Sequence, residues 1–385
     1  MPWKETEPMT ERMKFMMEWE GGFFGFGELC GLYGVSRKTG YKWLRRWEFG
    51  GAEGLSDRSR APHGCPHRTS AEVEEKIVGL RGQRPNWGPV TLRLRLRREE
   101  PEVSWPAAST IGEILKRRGL SQPRRRRRKP EALFRNPERL QTQGPNEVLT
   151  ADFKGQFRTG DGRYCYPLTI QDHYSRYALC CEALGSTEGG GVRKRFEGVF
   201  REYGLPEAIL TDNGSPFAGV GLRRLSRLSV WWIRLGVRPL LIRRGRPEEN
   251  GRHERYHRTL KEETARPPAA DRRSQQRVFQ RFRRDYNEER PHQALEEAKT
   301  PAEVYRPSER SYPRRLPPLE YPGHYEVRRV NLNGYVKLHG RRMFLSQVLG
   351  HETVGLEEVQ DGVWSIYLGQ YLLGRWDRRS DTIRE

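Results

Sequence analysis

Cysteine, lysine and long apolar runs are what this sequence has least of. Five cysteines in 385 residues (Cys30, Cys65, Cys165, Cys180 and Cys181) follow no even spacing, which excludes a disulfide framework. His63, Cys65 and His67 alternate within a Pro/Gly-rich loop that offers no fourth ligand, so they read as linker rather than zinc site. No stretch approaches the ~18 apolar residues of a membrane span, and the acidic, amphipathic start does not read as a secretory leader. A reducing cytoplasm is the compartment these absences predict, with no membrane partner. Lysine numbers 12 against 59 arginines, and 50 acids face 71 basic residues, leaving a net charge of +21. Guanidinium forks hold phosphate at two points and stack on bases, so the surplus points to nucleic acid. Hydrophobic residues at 35% and aromatics at 10% still suffice for several folded cores.

The front of the chain reads as helical. A helix over 8–19, with Met13, Phe15, Met16 and Met17 supplying apolar surface, precedes the glycine-rich loop 21–27. Two helices then flank Gly34-Val35-Ser36, with Ser36 as N-cap of the second. Leu29, Cys30, Tyr33, Val35 and Trp43 suit the packing between them, leaving Arg37, Lys38, Tyr41 and Lys42 outside as DNA contacts. This predicts a helix-turn-helix domain over 1–55. A second helix-turn-helix or winged-helix domain is expected over 68–122, with helices near 71–82, 90–99 and 109–118 and Arg93, Arg95, Arg97 and Arg98 on its middle helix. The basic linker 123–145 follows; Arg124, Arg125, Arg126, Arg127, Arg128 and Lys129 repel one another and suit a DNA backbone.

From 146 the pattern turns to strands, then strands alternating with helices, which predicts a layered α/β core over 146–305. Short strands with turns at Asn333-Gly334, His339-Gly340 and Asp361-Gly362 predict a small β-barrel over 320–380.

Three acids stand where packing does not explain them. Asp152 lies in Leu149-Thr-Ala-Asp-Phe-Lys154, a strand with both faces covered, where a buried carboxylate requires a positive partner. Asp212 ends a short strand in Ile209-Leu-Thr-Asp-Asn-Gly214, and strand ends face the crevices where ligands bind. Glu254 belongs to a helix on which Asn250, Glu254, His257 and Lys261 fall at steps of three and four. Oxygen donors of this kind suit Mg2+, with Mn2+ as the alternative, and paired cations of that type serve phosphodiester chemistry. Each acid also has a plainer reading: an ion pair for Asp152, a turn for Asp212, a solvated pair with Arg258 for Glu254. Lys154, His257 and Lys261 are candidate phosphate contacts, with solvent exposure as the plain alternative for Lys154 and His257.

These segments resemble the integrase-type core of bacterial insertion-sequence transposases, in the retroviral integrase superfamily. The resemblance is carried by Asp152, Asp212-Asn213-Gly214, Asn250-Gly251, Glu254-Arg255, His257-Arg-Thr-Leu-Lys261 and Tyr286-Asn-Glu-Glu-Arg-Pro-His-Gln-Ala-Leu295, and at the front by Gly34–Trp43 and Ser109–Lys116. It implies a multidomain chain: N-terminal all-α helix-turn-helix units, a central α/β ribonuclease-H-like core, and the C-terminal barrel. It also implies an Asp152–Asp212–Glu254 metal-binding catalytic triad. The interval from Asp212 to Glu254 is longer than the family's usual compact spacing. The implied activity is metal-dependent cleavage and 3′-hydroxyl strand transfer on double-stranded DNA, at terminal inverted repeats and target DNA, by a homo-oligomer on the nucleoid. The alternatives are a catalytically inactive, transposase-derived regulator that binds DNA, and a structure-selective nuclease of the same fold.

Overall fold

The computed structural model of the chain describes residues 8–57, 68–121, 140–153, 155–243 and 245–385, in two compact units, Met1–Arg68 and Thr69–Glu385. The first holds helices α1 (Pro8–Glu20), α2 (Phe26–Leu32) and α3 (Arg37–Gly54). Phe15, Met16, Leu29, Cys30 and Leu55 are its buried core, while Met17 faces solvent. The Ser36 hydroxyl accepts from the Thr39 N–H at 3.2 Å and caps α3. Gly40 is buried, and a Cβ there would lie 2.6 Å from Cys30 Sγ. Its helix-propensity cost of ~1 kcal/mol is thus the condition for α2 and α3 to close on each other.

The second unit begins with α4 (Ala71–Gln83), α5 (Pro89–Glu99) and α6 (Ala108–Arg117), packed around Ile77, Trp87, Leu92, Leu96, Trp105 and Ile111. Ser70 caps α4, accepting from Val73 N–H at 3.4 Å. Three ion pairs fasten this helical set to the α/β core: Arg84–Asp285 at 2.7 Å, Arg95–Glu289 at 2.8 Å and Arg98–Glu303 at 2.6 Å. Arg98 donates to Glu303, and with Thr300 it holds that carboxyl down to about 2.

The core sheet comprises β1 (Val148–Phe153), β2 (Phe157–Arg158), β3 (Tyr164–Asp172), β4 (Ala178–Leu184), β5 (Ala208–Thr211) and β6 (Arg238–Leu241). Its order is β2-β3-β1-β5-β6, with β4 also pairing β3. The early strands are antiparallel, whereas β1, β5 and β6 are parallel, joined through α7 (Gly189–Tyr203) and α8 (Arg227–Arg234). Leu149, Ala151, Phe196, Phe200 and Trp232 fill the face under α7 and α8. Cys165, Cys181, Tyr256, Phe279 and Phe282 fill the other, under α9 (Gly251–Thr264) and α10 (Arg272–Arg284). After α10, Asp285–Glu289 form a π-helical turn in which the buried Asn287 accepts from Ala178 N–H at 2.8 Å and donates to Ala178 O at 3.1 Å. The Tyr286-Asn287 segment therefore ties the helix end to β4.

The C-terminal strands are β7 (Glu326–Arg329), β8 (Tyr335–Leu338), β9 (Arg341–Phe344), β10 (Thr353–Gln360), β11 (Val363–Leu368), β12 (Tyr371–Asp377) and β13 (Thr382–Arg384). Five of them form an antiparallel sheet in the order β13-β12-β11-β10-β7, and β8 and β9 form a separate two-stranded ribbon. No pairing among the described residues closes this sheet, so the expected small barrel is not found. Val336, Leu338 and Met343 of the β8–β9 ribbon pack against Val354, Leu356 and Ile366. The apolar face is covered by a second layer, and curling into a closed ring is unnecessary.

Candidate active site

Alternation along β1 decides which side chains face the site. Leu149 and Ala151 enter the core under α7 and α8, with Phe153 packed against it. Thr150 and Asp152 take the opposite face, toward α9. The parallel pairing of β1 with β5 sets Ala151 opposite Thr211. Asp152 and Asp212 are the next residues on these neighbouring strands, at the C-terminal ends where an α/β sheet opens its crevice. Asp212 Oδ1 accepts from Gly214 N–H at 3.1 Å, which fixes the carboxylate in its turn. Asn213 also braces that turn: its Nδ2 donates to Ile242 O at 2.8 Å, and Arg224 donates to its Oδ1.

Helix α9 supplies the other wall. Its buried stripe is His253, Tyr256, His257, Leu260 and Thr264. This corrects the face drawn from the sequence. Asn250 and His257 are buried, whereas Glu254 and Lys261 are exposed. His257, expected at a DNA surface or in solvent, is 4% exposed and points its Nδ1 at Asp152 Oδ2 across 3.7 Å. The reason is polar packing. Thr150 and Thr169 present hydroxyls on this face of the sheet, and two imidazoles one helical turn apart satisfy them. Burial, and next the neighbouring His173, push His253 down to about 3, so it is neutral. Asn250 places its Nδ2 3.5 Å from Asp152 Oδ2, and its own buried Oδ1 has no partner. The sequence reading left out His253, Thr150 and Thr169. The available signals were Thr150 two residues before Asp152 and the four-residue interval between His253 and His257.

Another buried acid, Asp172 at the end of β3, is structural. It accepts from Asn146 N–H at 2.8 Å, Ser175 N–H at 2.7 Å and Ser175 Oγ at 2.6 Å. Burial nevertheless pushes its carboxyl up, against those donors.

The structure thus brings Asp152 and Asp212 to adjacent positions and leaves Glu254 on the open side of α9. Among the described residues no three His, Cys, Asp or Glu side chains are placed to hold a metal ion together. What stands at the strand ends is nonetheless a pair of hard oxygen donors, the Asp152 and Asp212 carboxylates. That donor set fits Mg2+ or Mn2+ and no thiolate-seeking metal. Of the candidate DNA contacts, Arg37, Lys38, Tyr41 and Lys42 are all exposed on α3, and Lys261 is exposed on α9. Arg124 to Lys129 and Lys154 lie outside the described residues. Among the described residues no helix is long and apolar enough to cross a membrane.

The chain matches the integrase core domain family over residues 142–247 and again over 235–301. It matches a helix-turn-helix domain family over 11–63 and a homeodomain-like domain family over 39–115. It is 28% identical over 232 residues to the uncharacterized 31.7 kDa protein of insertion element IS407 from Burkholderia multivorans, covering 60% of this chain and 79% of that protein. It is 22% identical over 268 residues to the uncharacterized 39.2 kDa protein of insertion element IS476 from Xanthomonas euvesicatoria, covering 69% of each. Among solved structures it is similar to a chain of the simian T-cell lymphotropic virus intasome in complex with PP2A regulatory subunit B56 gamma, with TM-score 0.36, 15% identity, and coverage of 77% and 97%. It is also similar to the HTLV-2 integrase catalytic core domain in complex with magnesium, with TM-score 0.33, 12% identity, and coverage of 43% and 99%.

Proposed function

From a chain that belongs to the integrase superfamily, among the insertion-sequence transposases, we propose an enzyme that nicks DNA at the ends of its element and joins the freed 3′-hydroxyl to another phosphodiester. The observation that carries this reading is the β1–β5 pairing, which makes Asp152 and Asp212 neighbours at the strand ends. Asp152 and Asp212 would hold Mg2+, or Mn2+, with Glu254 as the third carboxylate. When bound at such a site, the cation supplies Lewis-acid polarisation of the phosphodiester and a nucleophilic oxygen at neutral pH. The main-chain ladder holds the two aspartates before substrate arrives. Glu254, on the open side of α9, joins them when DNA and metal are both present. Lys261, two helical turns further along α9, contacts the adjoining phosphates together with Lys154.

Arg37, Lys38, Tyr41 and Lys42 would carry α3 into the major groove of the terminal repeats, and Arg124 to Lys129 would follow the backbone. Two ends must be processed together, which calls for a homo-oligomer assembled on DNA. The test is Asp212→Asn and Glu254→Gln. Each should abolish Mg2+-dependent end cleavage and strand transfer while end binding in a gel shift persists. Full cleavage by either variant would sink the assignment. A wild-type chain that shifts end DNA and joins nothing is instead a transposase-derived regulator.

A further inference from the structure

Asp212 is the first residue past the β1–β5–β6 ladder, whose last pairs are Ala151–Thr211 and Thr211–Leu241. What places it is therefore the turn it opens. Its Oδ1 accepts from Gly214 N–H at 3.1 Å, and Asn213 Nδ2 donates to Ile242 O at 2.8 Å. The remaining brace is Arg224. Its Nη1 donates to Asn213 Oδ1, and its Nη2 lies 3.4 Å from Asn213 O. One guanidinium fork thus grips Asn213 by side chain and main chain together, a hold that a single ammonium does not give.

Arg224 is itself held from the other side. It closes the short 3-10 turn Leu222–Arg224, where Arg223 and Arg224 have φ of 51° and 53°. Residues other than glycine keep this left-handed conformation only where their surroundings over-determine it. Those surroundings include the C-terminal sheet. Glu385 Oε1 accepts from Arg223 N–H at 2.6 Å, and Arg223 Nε donates to Leu373 O on β12 at 3.2 Å. Leu225 is buried among the apolar side chains of that sheet, with Leu222 packed against them. A Cβ on Gly221 would lie 2.6 Å from Ser346 Oγ, so the chain enters the turn pressed against the segment after β9. Gly219 N–H donates to Arg224 O at 2.7 Å and closes the loop behind it. A continuous line of contacts therefore runs from the C-terminal sheet through Arg223, Arg224 and Asn213 to the Asp212 turn.

We propose that Arg224 is a positioning residue for Asp212, and that the C-terminal sheet sets Arg224 in place through Arg223 and so belongs to the frame of the active site. This rests on the reading of Asp212 as a metal-binding carboxylate. Charge and positioning have opposite signs here. Removing a cation beside a cation-binding carboxylate strengthens binding by charge alone. Losing an outer partner that holds the carboxylate weakens it, by about 10–100-fold.

The test uses the full-length chain, with Mn2+ binding measured by electron paramagnetic resonance without turnover and thermal melting followed beside it. Arg224→Ala should weaken Mn2+ binding by about 10–100-fold. Arg224→Lys, which keeps the charge and loses the fork, should weaken it in the same direction, and it decides alone if Arg224→Ala does not fold. Asn213→Ala should also weaken it, and adding Arg224→Ala to that variant should cost little more, because both act through one contact. Arg223→Ala with Glu385→Ala cuts both polar ties to the sheet and should lower the affinity too. Equal or tighter Mn2+ binding in Arg224→Ala, or losses that multiply when it is joined to Asn213→Ala, overturns the role of Arg224. Wild-type binding in Arg223→Ala with Glu385→Ala overturns that of the sheet. The turn also has a reporter that needs no metal. With 15N-glycine and 13C-carbonyl asparagine, only Gly214, Gly251 and Gly334 follow a labelled asparagine. The Gly214 amide should exchange with solvent about tenfold faster in Arg224→Ala, and unchanged exchange overturns the proposal. If Asp212→Asn binds Mn2+ as wild type does, the metal-site reading fails instead, and Gly214 exchange alone decides whether Arg224 holds the turn.

Discussion

In the first helical unit, Arg37, Lys38, Tyr41 and Lys42 share the exposed side of α3, and among the described residues no carboxylate pairs with them. In the second, Arg84, Arg95 and Arg98 reach Asp285, Glu289 and Glu303 of the α/β core. Both helices look alike as strings of cations. What separates them is the location of the acids. A guanidinium matched to a carboxylate within its own fold has already satisfied the donors that a phosphate would use. Helix α5 is therefore a docking face, and α3 retains the free cations that a polyanion requires.

The largest expected effect tests that division directly. Replacing Arg37, Lys38 and Lys42 together by Ala should weaken binding to element-end DNA roughly 100-fold at fixed salt, since each phosphate or base contact is worth on the order of 1 kcal/mol. Arg95→Ala with Arg98→Ala should change that affinity by less than about threefold. Equal losses in the two variants, by fluorescence anisotropy, would break the contrast.

An intermediate effect comes from the ledge that receives α4 and α5. His292 is pushed down to about 3 by burial and then by Arg290 and Arg176. Folded, it stays neutral; unfolded, it takes a proton near its ordinary value of ~6.5. Between those values the unfolded chain binds the extra proton, so stability falls as pH drops from about 6.5 toward 3, by on the order of 1 kcal/mol per pH unit. His292→Gln should flatten this slope in urea titrations of the second unit. An unaltered slope would remove His292 from the account.

The smallest effect belongs to the ion pairs themselves. They are partly solvated, so Arg95→Ala with Arg98→Ala should lower stability by roughly 0.2–1 kcal/mol per pair. With its carboxyl held down to about 2, Glu303 keeps its link to Arg98 at neutral pH. That contribution is present above the ordinary value of 4.5 and is lost only as pH falls toward 2. Glu303→Gln should reduce the response of the melting temperature to acid in that window, the remainder belonging to other lowered carboxyls such as Asp161, Asp271 and Asp377. A response equal to wild type would assign it to other groups.

Local chemistry was legible in the sequence where it depends on neighbours along the chain. Ser36 and Ser70 cap the helices they precede, and alternation in β1 separates Leu149 and Ala151 from Asp152. Contacts across long intervals were not legible. His257 is flanked by Arg255, Arg258 and Lys261 and reads as surface; the Thr169 hydroxyl, brought over by the sheet, is a buried partner that the sequence does not show. The arginines of α5 were visible as charge, but their partners lie about two hundred positions away. The C-terminal strands announced themselves by their turns. Whether the first meets the last is a question of pairing, and the β8–β9 ribbon answered it by packing over the sheet.

The β1–β5 ladder has a bearing on how this protein tolerates change. Asp152 and Asp212 directly follow the last β1–β5 pair, Ala151–Thr211, so their backbones start from the interstrand spacing of about 4.8 Å, whatever fills the space beneath. Substitutions among Phe196, Phe200 or Trp232 can loosen the interior without retuning that gap. A slip of β5 by a single residue would turn Asp212 to the opposite side of the sheet and dismantle the pair in one step. Variation in lineages of this chain should therefore pass volume-conserving exchanges in the interior and stop at insertions within these two strands.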